Sequence, residues 1–224
     1  MARLSEAEQD LVTRAVTAAE EHTSGEIVTV LADRSDGYTD VALLWAAAIA
    51  FTAMAVLASF PAFYTGLFDH FVGNWAHEWT AGELMTLVTG VGLIKFLAMW
   101  AVQAWQPLKF FLIPAPIKSH RANAAAVRLF KVGADRRTVG RTGVLLYLSL
   151  REHRAEIVAD EAIAAKVAPE VWGKAMHAML DHVSADRVAE GLAAGVAEVG
   201  AILAEHFPRG AEDVNELPDR LIEV

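Results

Sequence analysis

A chain of 224 residues that stays uncharged from residue 41 to residue 68 has few ways to fold. A second run, residues 84–108, contains one charge, Lys95. Each run exceeds the roughly 20 apolar residues that cross a hydrocarbon core about 30 Å thick. A helix in a soluble core is the alternative, but such helices seldom stay uncharged over this length. We therefore predict an inserted transmembrane helical hairpin over residues 40–115, with spans at about residues 42–63 and 80–105.

Charges and aromatic residues flank the two runs in the pattern of membrane helices. Tryptophan or tyrosine lies near both ends of each span, as in an interfacial belt. Residues 61–83, between the spans, hold acidic residues but no Lys or Arg, whereas basic residues lie on the other side: Arg34, Lys109, Lys118 and Arg121. The positive-inside rule then predicts an inner (plasma) membrane protein with both termini and the soluble domain in the cytoplasm.

Lys95 is an ionisable residue inside the second predicted span. Such residues are often functional. Together with His70 and His77 of the outer loop, it leaves open a small transport or sensing element. Lys95 is also near enough to the cytoplasmic face for its ammonium group to snorkel to water, and we favour snorkelling.

The rest of the chain predicts an α/β domain. Ser5 and Glu8 form a capping box before an amphipathic helix over residues 5–21, and residues 26–31 form a β-branched strand. Residues 142–150 and 154–160 predict two strands paired as a hairpin. Helices are predicted at residues 120–133, 161–167, 172–182 and 186–206. Residues 1–39 and 116–224 would then form one discontinuous domain, a small central sheet flanked by helices, with the hairpin inserted after its first strand.

Composition excludes several functional classes. The net charge of −9 argues against nucleic-acid binding, because phosphate contacts need clustered Lys and Arg. The chain has no cysteine, which excludes disulfides, thiolate metal sites and thiol nucleophiles. It also lacks the Gly-x-Ser-x-Gly and phosphate-loop motifs of common hydrolases and nucleotide-binding enzymes.

Carboxylates at predicted strand ends are the candidate site. Asp33, Asp36 and Asp40 follow the first strand, and Asp160 ends the third. Ligands of α/β sheets gather outside the carboxyl ends of strands, and carboxylate oxygens suit hard cations. We predict that Asp33, Asp36 and Asp160 bind calcium or another divalent cation. The alternative is a solvated acidic turn, since Asp36-Gly37 is common turn chemistry.

Three segments resemble the TPM domain family. They are residues 23–31 (TSGEIVTVL), residues 143–158 (GVLLYLSLREHRAEIV) and the tail at residues 215–219 (NELPD). The family includes thylakoid-lumen proteins of photosystem II repair and bacterial membrane-associated proteins. The resemblance implies an α/β sandwich, calcium binding, acid phosphatase activity and association with LemA-type membrane proteins. This chain departs from the family in lacking a Gly-Tyr-Gly-Leu-Glu stretch after the paired strands and in carrying its apolar helices inside the domain.

These observations predict a bacterial membrane-anchored TPM-like protein that is a protein-interaction or accessory module in membrane or envelope maintenance. Its expected partners are membrane lipids and a membrane protein, with a homo-oligomer as an open alternative. The alternative function is a metal-dependent phosphatase with carboxylate ligands at the strand ends.

Overall fold

A computed structural model describes residues 4–72, 78–133, 142–210 and 216–224. His77 and Asn215 therefore lie outside the described residues. The chain divides into two compact units, one formed by Met1–Asp36 with Ala115–Val224 and the other by Gly37–Pro114.

A four-stranded mixed sheet forms the centre of the first unit. Its strands are β1 (Glu26–Ala32), β2 (Gly143–Ser149), β3 (Arg154–Ala159) and β4 (Ile222–Glu223), in the order β3-β2-β1-β4. β1 is parallel to β2 and to β4, whereas β2 and β3 pair antiparallel from Val144–Ala159 to Ser149–Arg154. The predicted α/β fold and the hairpin of the second and third strands are confirmed. β4 was not predicted.

The described helices are α1 (Glu6–Glu20), α2 (Thr39–Ser59), α3 (Pro61–Val72), α4 (Ala81–Val102), α5 (Gln106–Leu112), α6 (Ala115–Gly133), α7 (Glu161–Ala164), α8 (Trp172–Val183) and α9 (Val188–His206). The capping box of α1 is confirmed, since the Glu8 amide donates to Ser5 Oγ and the Glu8 carboxylate accepts from the Ser5 amide. α6 begins five residues earlier than predicted, with Pro116 in its first turn, where proline is tolerated. α7 ends at Ala164, three residues before its predicted end.

Helices cover both faces of the sheet, which explains why every residue of β1 and β2 is buried. On one face, α6 packs Ala122, Ala126 and Phe130 against side chains of β1 and β2. On the other face lie α1, α8 and α9, with Val16, Val196 and Leu203 in the core.

Glycine allows α9 to approach α1 closely. A Cβ atom added at Gly200 would lie 2.5 Å from Ala19 Cβ and 3.2 Å from Ala19 Cα. No real Cβ comes so close to another atom, so the spacing of these two helices depends on the absence of a side chain there.

The second unit contains α2 to α5. α2 and α4 pack against each other, and a Cβ added at Gly92 would lie 2.5 Å from Met54 Sδ. The Gln103 side-chain amide, buried after the end of α4, donates a 2.9 Å hydrogen bond to the Ala42 carbonyl of α2. Residues 61–72, expected to belong to a loop, form the helix α3.

Candidate functional site

The carboxyl ends of β1 and β2 meet at one edge of the sheet, where polar side chains form a network. The buried Glu152 carboxylate accepts hydrogen bonds from the Ser35 amide at 2.8 Å and from the Ser149 hydroxyl. The Ser35 hydroxyl also lies 2.9 Å from the Tyr147 hydroxyl. Burial raises the pKa of Tyr147 above its ordinary value, so this phenol stays neutral at physiological pH. The network fixes the loop that follows β1.

Asp33 and Asp36 lie at this edge, as predicted from their position after the first strand, and each has a guanidinium partner. Arg151 Nε is 2.9 Å from Asp33 Oδ2, and Arg121 Nη1 is 3.0 Å from Asp36 Oδ2. All four side chains keep part of their surface in water. A cation bound by these carboxylates would have to compete with the arginines. Asp40 lies in the first turn of α2.

Asp160 does not join them, so the expected convergence of the three carboxylates is wrong. β3 is antiparallel to β2, and its carboxyl end therefore lies beside the start of β2. Asp160 Oδ2 accepts a 3.0 Å hydrogen bond from the Gly143 amide, and its own amide donates to the Gly143 carbonyl. The length of a seven-residue strand, roughly 20 Å, separates Asp160 from the edge that holds Asp33.

A metal site therefore does not follow from these three residues. Across the described ranges, no group of three or more His, Cys, Asp or Glu side chains is placed so that it could hold a metal ion. Because Asp160 lies at the opposite end of β2 from Asp33, one ion cannot bind all three carboxylates. The phosphatase alternative stays a prediction. Cation binding by Asp33 and Asp36 alone stays a prediction.

An acidic pocket that sequence reasoning missed lies at the other end of β1. It has a volume of about 240 Å³ and is lined by Thr17, Glu20, Glu21, Thr23, Glu26, Arg209 and Asp219. Glu26 is buried, and its carboxylate accepts the amides of Glu216 and Leu217 at 3.1 and 3.2 Å. The Thr17 hydroxyl donates a 2.5 Å hydrogen bond to Asp219 Oδ2. These contacts join the segment before β4 to the first strand through Glu26 and to α1 through Thr17.

Glu20 is the titratable group of this pocket with the largest perturbation. Its Oε1 accepts the Ile27 amide at 2.7 Å, whereas its Oε2 is buried without a hydrogen-bond partner. Burial, with smaller contributions from the nearby carboxylates of Glu26 and Asp219, raises the pKa of Glu20 to about 8. Glu20 is therefore largely protonated at neutral pH. Its position at the end of the predicted first helix, six residues before Glu26, was the available sequence signal.

The second unit presents a surface of another kind. α2 and α4 are long and apolar enough to cross a membrane. On α4, Leu93, Ile94 and Leu97 are 59%, 65% and 50% exposed. α2 likewise exposes Leu44 and Phe51. Exposed apolar patches of this extent are typical of surfaces that contact a membrane or another protein.

Comparison with known proteins adds the fold alone. No protein-family model matches the chain, and no curated protein matches it significantly. Among solved structures, the NMR structure of the BA42 protein from the psychrophilic bacterium Bizionia argentinensis sp. nov. is similar, with a TM-score of 0.56 and 17% sequence identity. The match covers 99% of this chain and 95% of that chain. At this identity the similarity supports a shared α/β architecture and carries no function.

Proposed function

We propose that this chain is an integral protein of the inner membrane, in which α2 and α4 cross the bilayer as a hairpin and carry a TPM-like α/β domain. The exposed apolar surface of α4 carries the proposal. In water, the exposed surface of large side chains such as Leu93, Ile94 and Leu97 would be unfavourable. The cost is roughly 25 cal/mol for each Å² of apolar surface left exposed. Hydrocarbon removes that cost. At 21 and 22 residues, α2 and α4 are about 32 and 33 Å long, which is enough to cross the hydrocarbon core of a bilayer.

The contacts between α2 and α4 support the same environment. Helices in membranes associate through small residues that permit close approach and through interhelical hydrogen bonds. The contact of Gly92 with Met54 is a close approach at a small residue, and the bond from Gln103 to the Ala42 carbonyl is an interhelical hydrogen bond.

We assign both termini and the α/β domain to the cytoplasm, because residues 61–83 contain no Lys or Arg. Lys95 then lies about two helical turns before the cytoplasmic end of α4. Its side chain is exposed and long enough to carry the ammonium group toward the headgroups.

For the α/β domain we propose a protein-interaction or accessory role in membrane or envelope maintenance. The pairing of Asp33 with Arg151 and of Asp36 with Arg121 favours this role over metal-dependent catalysis. The resemblance to TPM domains suggests a LemA-type membrane protein as the partner. A homo-oligomer is the alternative.

Reporter fusions test the membrane topology. A fluorescent protein at residue 224 is expected to be bright, and alkaline phosphatase inserted within residues 73–77 is expected to be active, as an outer location requires. Replacing residues 37–114 with a short Gly/Ser linker should release a soluble, folded domain, because the hydrophobic clusters found among the described residues consist of residues from the first unit. Active phosphatase at residue 224, or a full chain extracted by alkaline carbonate, would refute the proposal.

Affinity capture from detergent-solubilised membranes, with and without Ca²⁺, tests the proposed role. The expected result is one membrane protein recovered in stoichiometric amount. The double variant Asp33→Asn, Asp36→Asn is the matched control for calcium, because it keeps the size of both side chains and removes their charge. If calcium acts through this edge, only the wild type responds to it. Capture of no protein and no second copy would contradict an interaction role.

A further inference from the structure

α3 lies between the two proposed spans and has one strongly apolar face. Large apolar or aromatic side chains recur every three or four residues, at Phe60, Phe63, Tyr64, Leu67, Phe68 and Phe71. Phe63, Leu67 and Phe71 are exposed, Phe71 at 81%. Ala62, Thr65, Gly66 and Asp69 occupy the opposite side at the same helical spacing. An amphipathic helix has therefore formed, and Phe63, Leu67 and Phe71 of its apolar side are exposed.

The flank of α3 that carries Asp69 and Phe68 is directed toward the start of α4. Trp79 Nε1 donates to both oxygens of Asp69, at 3.2 and 3.1 Å, and the Trp79 ring packs edge-on against Phe68 at 5.4 Å between centroids. A groove of about 780 Å³ lies beside this contact. Because this flank is fixed beside Trp79, the side chains of Phe63, Leu67 and Phe71 lie off the contact and stay exposed.

Length determines where this apolar face can lie. α2 alone is long enough to cross the hydrocarbon core, and its helical backbone conformation ends at Phe60, whose φ and ψ are −129° and 55°. The 12 residues of α3 add about 18 Å. If α3 continued the direction of α2, it would project that distance into water with its phenylalanines exposed. Lying in the plane of the interface buries them instead.

Charge identifies the class of lipid. No Lys or Arg occurs between residues 35 and 94, whereas α3 contains the acidic residue Asp69 and is followed by Glu78. Electrostatic attraction to anionic headgroups is therefore absent, and the contact depends on apolar burial. We propose that α3 is an interfacial helix whose Leu67–Phe71 face inserts among the lipids of the outer leaflet, with zwitterionic phospholipid as its partner. This inference rests on the membrane assignment of α2 and α4.

The absence of cysteine permits a direct test by single-cysteine spin labelling of the full-length chain in phosphatidylcholine nanodiscs. Leu67→Cys and Phe71→Cys report the apolar face. Ala62→Cys and Gly66→Cys are the matched controls on the polar side, where a Cβ at Gly66 would meet no atom within 4 Å. Leu93→Cys reports the α4 span. Circular dichroism identifies any variant that fails to fold, and Phe63→Cys then replaces it as the apolar reporter.

Accessibility to oxygen and to a water-soluble nickel chelate gives the result. The proposal expects labels at residues 67 and 71 to be at least threefold more accessible to oxygen than to nickel, and labels at residues 62 and 66 to show the reverse. Aqueous labels on both faces of α3, with residue 93 in lipid, would overturn this inference alone. An aqueous label at residue 93 would overturn the membrane assignment as well.

Two further outcomes would identify a different partner for the apolar face of α3. Labels at residues 67 and 71 that are shielded from both reagents would indicate a protein surface or a second copy and would overturn the lipid assignment. Repeating the measurement with 30% phosphatidylglycerol is expected to leave the depth of residue 71 unchanged. Insertion only with the anionic lipid would overturn the assignment to zwitterionic lipid.

Discussion

The substitution Ile94→Asp tests whether α4 lies in a membrane or in water, because its expected free-energy cost is much larger in a membrane. Ile94 lies near the middle of α4 and is 65% exposed. In water, the substitution Ile94→Asp on an exposed helix surface should change the free energy of unfolding by no more than about 0.5 kcal/mol. In a bilayer, the same change introduces a carboxylate near the centre of the hydrocarbon core.

The magnitude follows from the insertion scale. Isoleucine at a helix centre contributes about −0.5 kcal/mol to insertion and aspartate about +3 kcal/mol, so Ile94→Asp should cost about 3–4 kcal/mol. Because each 1.4 kcal/mol is a factor of ten, the insertion equilibrium of α4 should fall on the order of 100- to 1000-fold. Glu83, in the first turn, is the acidic residue that α4 already contains, so the substitution adds a carboxylate to a segment that otherwise has none.

Alkaline carbonate extraction measures the fraction of protein that resists release from membranes. We expect wild type to remain in the pellet and the Ile94→Asp variant to be released or degraded. Leu180→Asp is the matched control, because Leu180 is also an exposed aliphatic residue on a helix but lies in the α/β domain; it should fractionate as wild type does. Equal, complete retention of all three proteins would refute the assignment of α4 to the bilayer.

Other substitutions test the α/β domain. Gly200→Ala should cost about 1–3 kcal/mol of stability by forcing α1 from α9, whereas Gly173→Ala, which meets no atom within 4 Å, should stabilise α8 by up to about 1 kcal/mol; equal denaturation midpoints would contradict this. Since the pKa of Glu20 is raised from 4.5 to about 8, its stabilising contribution is complete below pH 4.5 and is lost as the pH rises to 8. Glu20→Gln should therefore raise Tm most at pH 8, and parallel Tm profiles would count against the shifted pKa. Asp160→Ala should cost about 1–3 kcal/mol by leaving a buried amide unpaired, without changing any Ca²⁺ affinity measured by calorimetry.

Local sequence patterns were sufficient where an element's own residues determine it. The Ser5–Glu8 capping box predicts the start of α1, and the apolar run at residues 142–150 predicts the strand observed at Gly143–Ser149. The hairpin of β2 and β3 followed from two strand patterns joined by a short polar segment. In each case the signal lies within a few residues of the structure that it predicts.

The failures depended on information that is not local. The predicted hairpin places Asp160 beside the start of β2, so whether Asp160 lies near Asp33 depends on whether β1 is parallel or antiparallel to β2. That pairing joins strands far apart in the chain, and neither strand pattern specifies it. β4 has two residues, too few for a periodic pattern, and it pairs with a strand almost 200 residues earlier in the chain. The apolar residues of α3 continue the uncharged run that begins at residue 41, and this conceals their helical spacing. The sequence therefore predicts a loop where the structure has a helix.

The sheet explains why the second unit, Gly37–Pro114, can stand between β1 and α6 in the chain. β1 and β2 are parallel neighbours, so their connection must leave the sheet and return, and α6 already forms part of that crossover. Additional residues at the end of β1 lengthen a connection that is long in any case, and loop length adds little entropic cost. The turn from β2 to β3 gives no such freedom, because its His153 has a φ of 51° and the strands pair directly on either side. A hairpin inserted there would disrupt the register of the sheet, whereas one inserted after β1 leaves every strand pair intact.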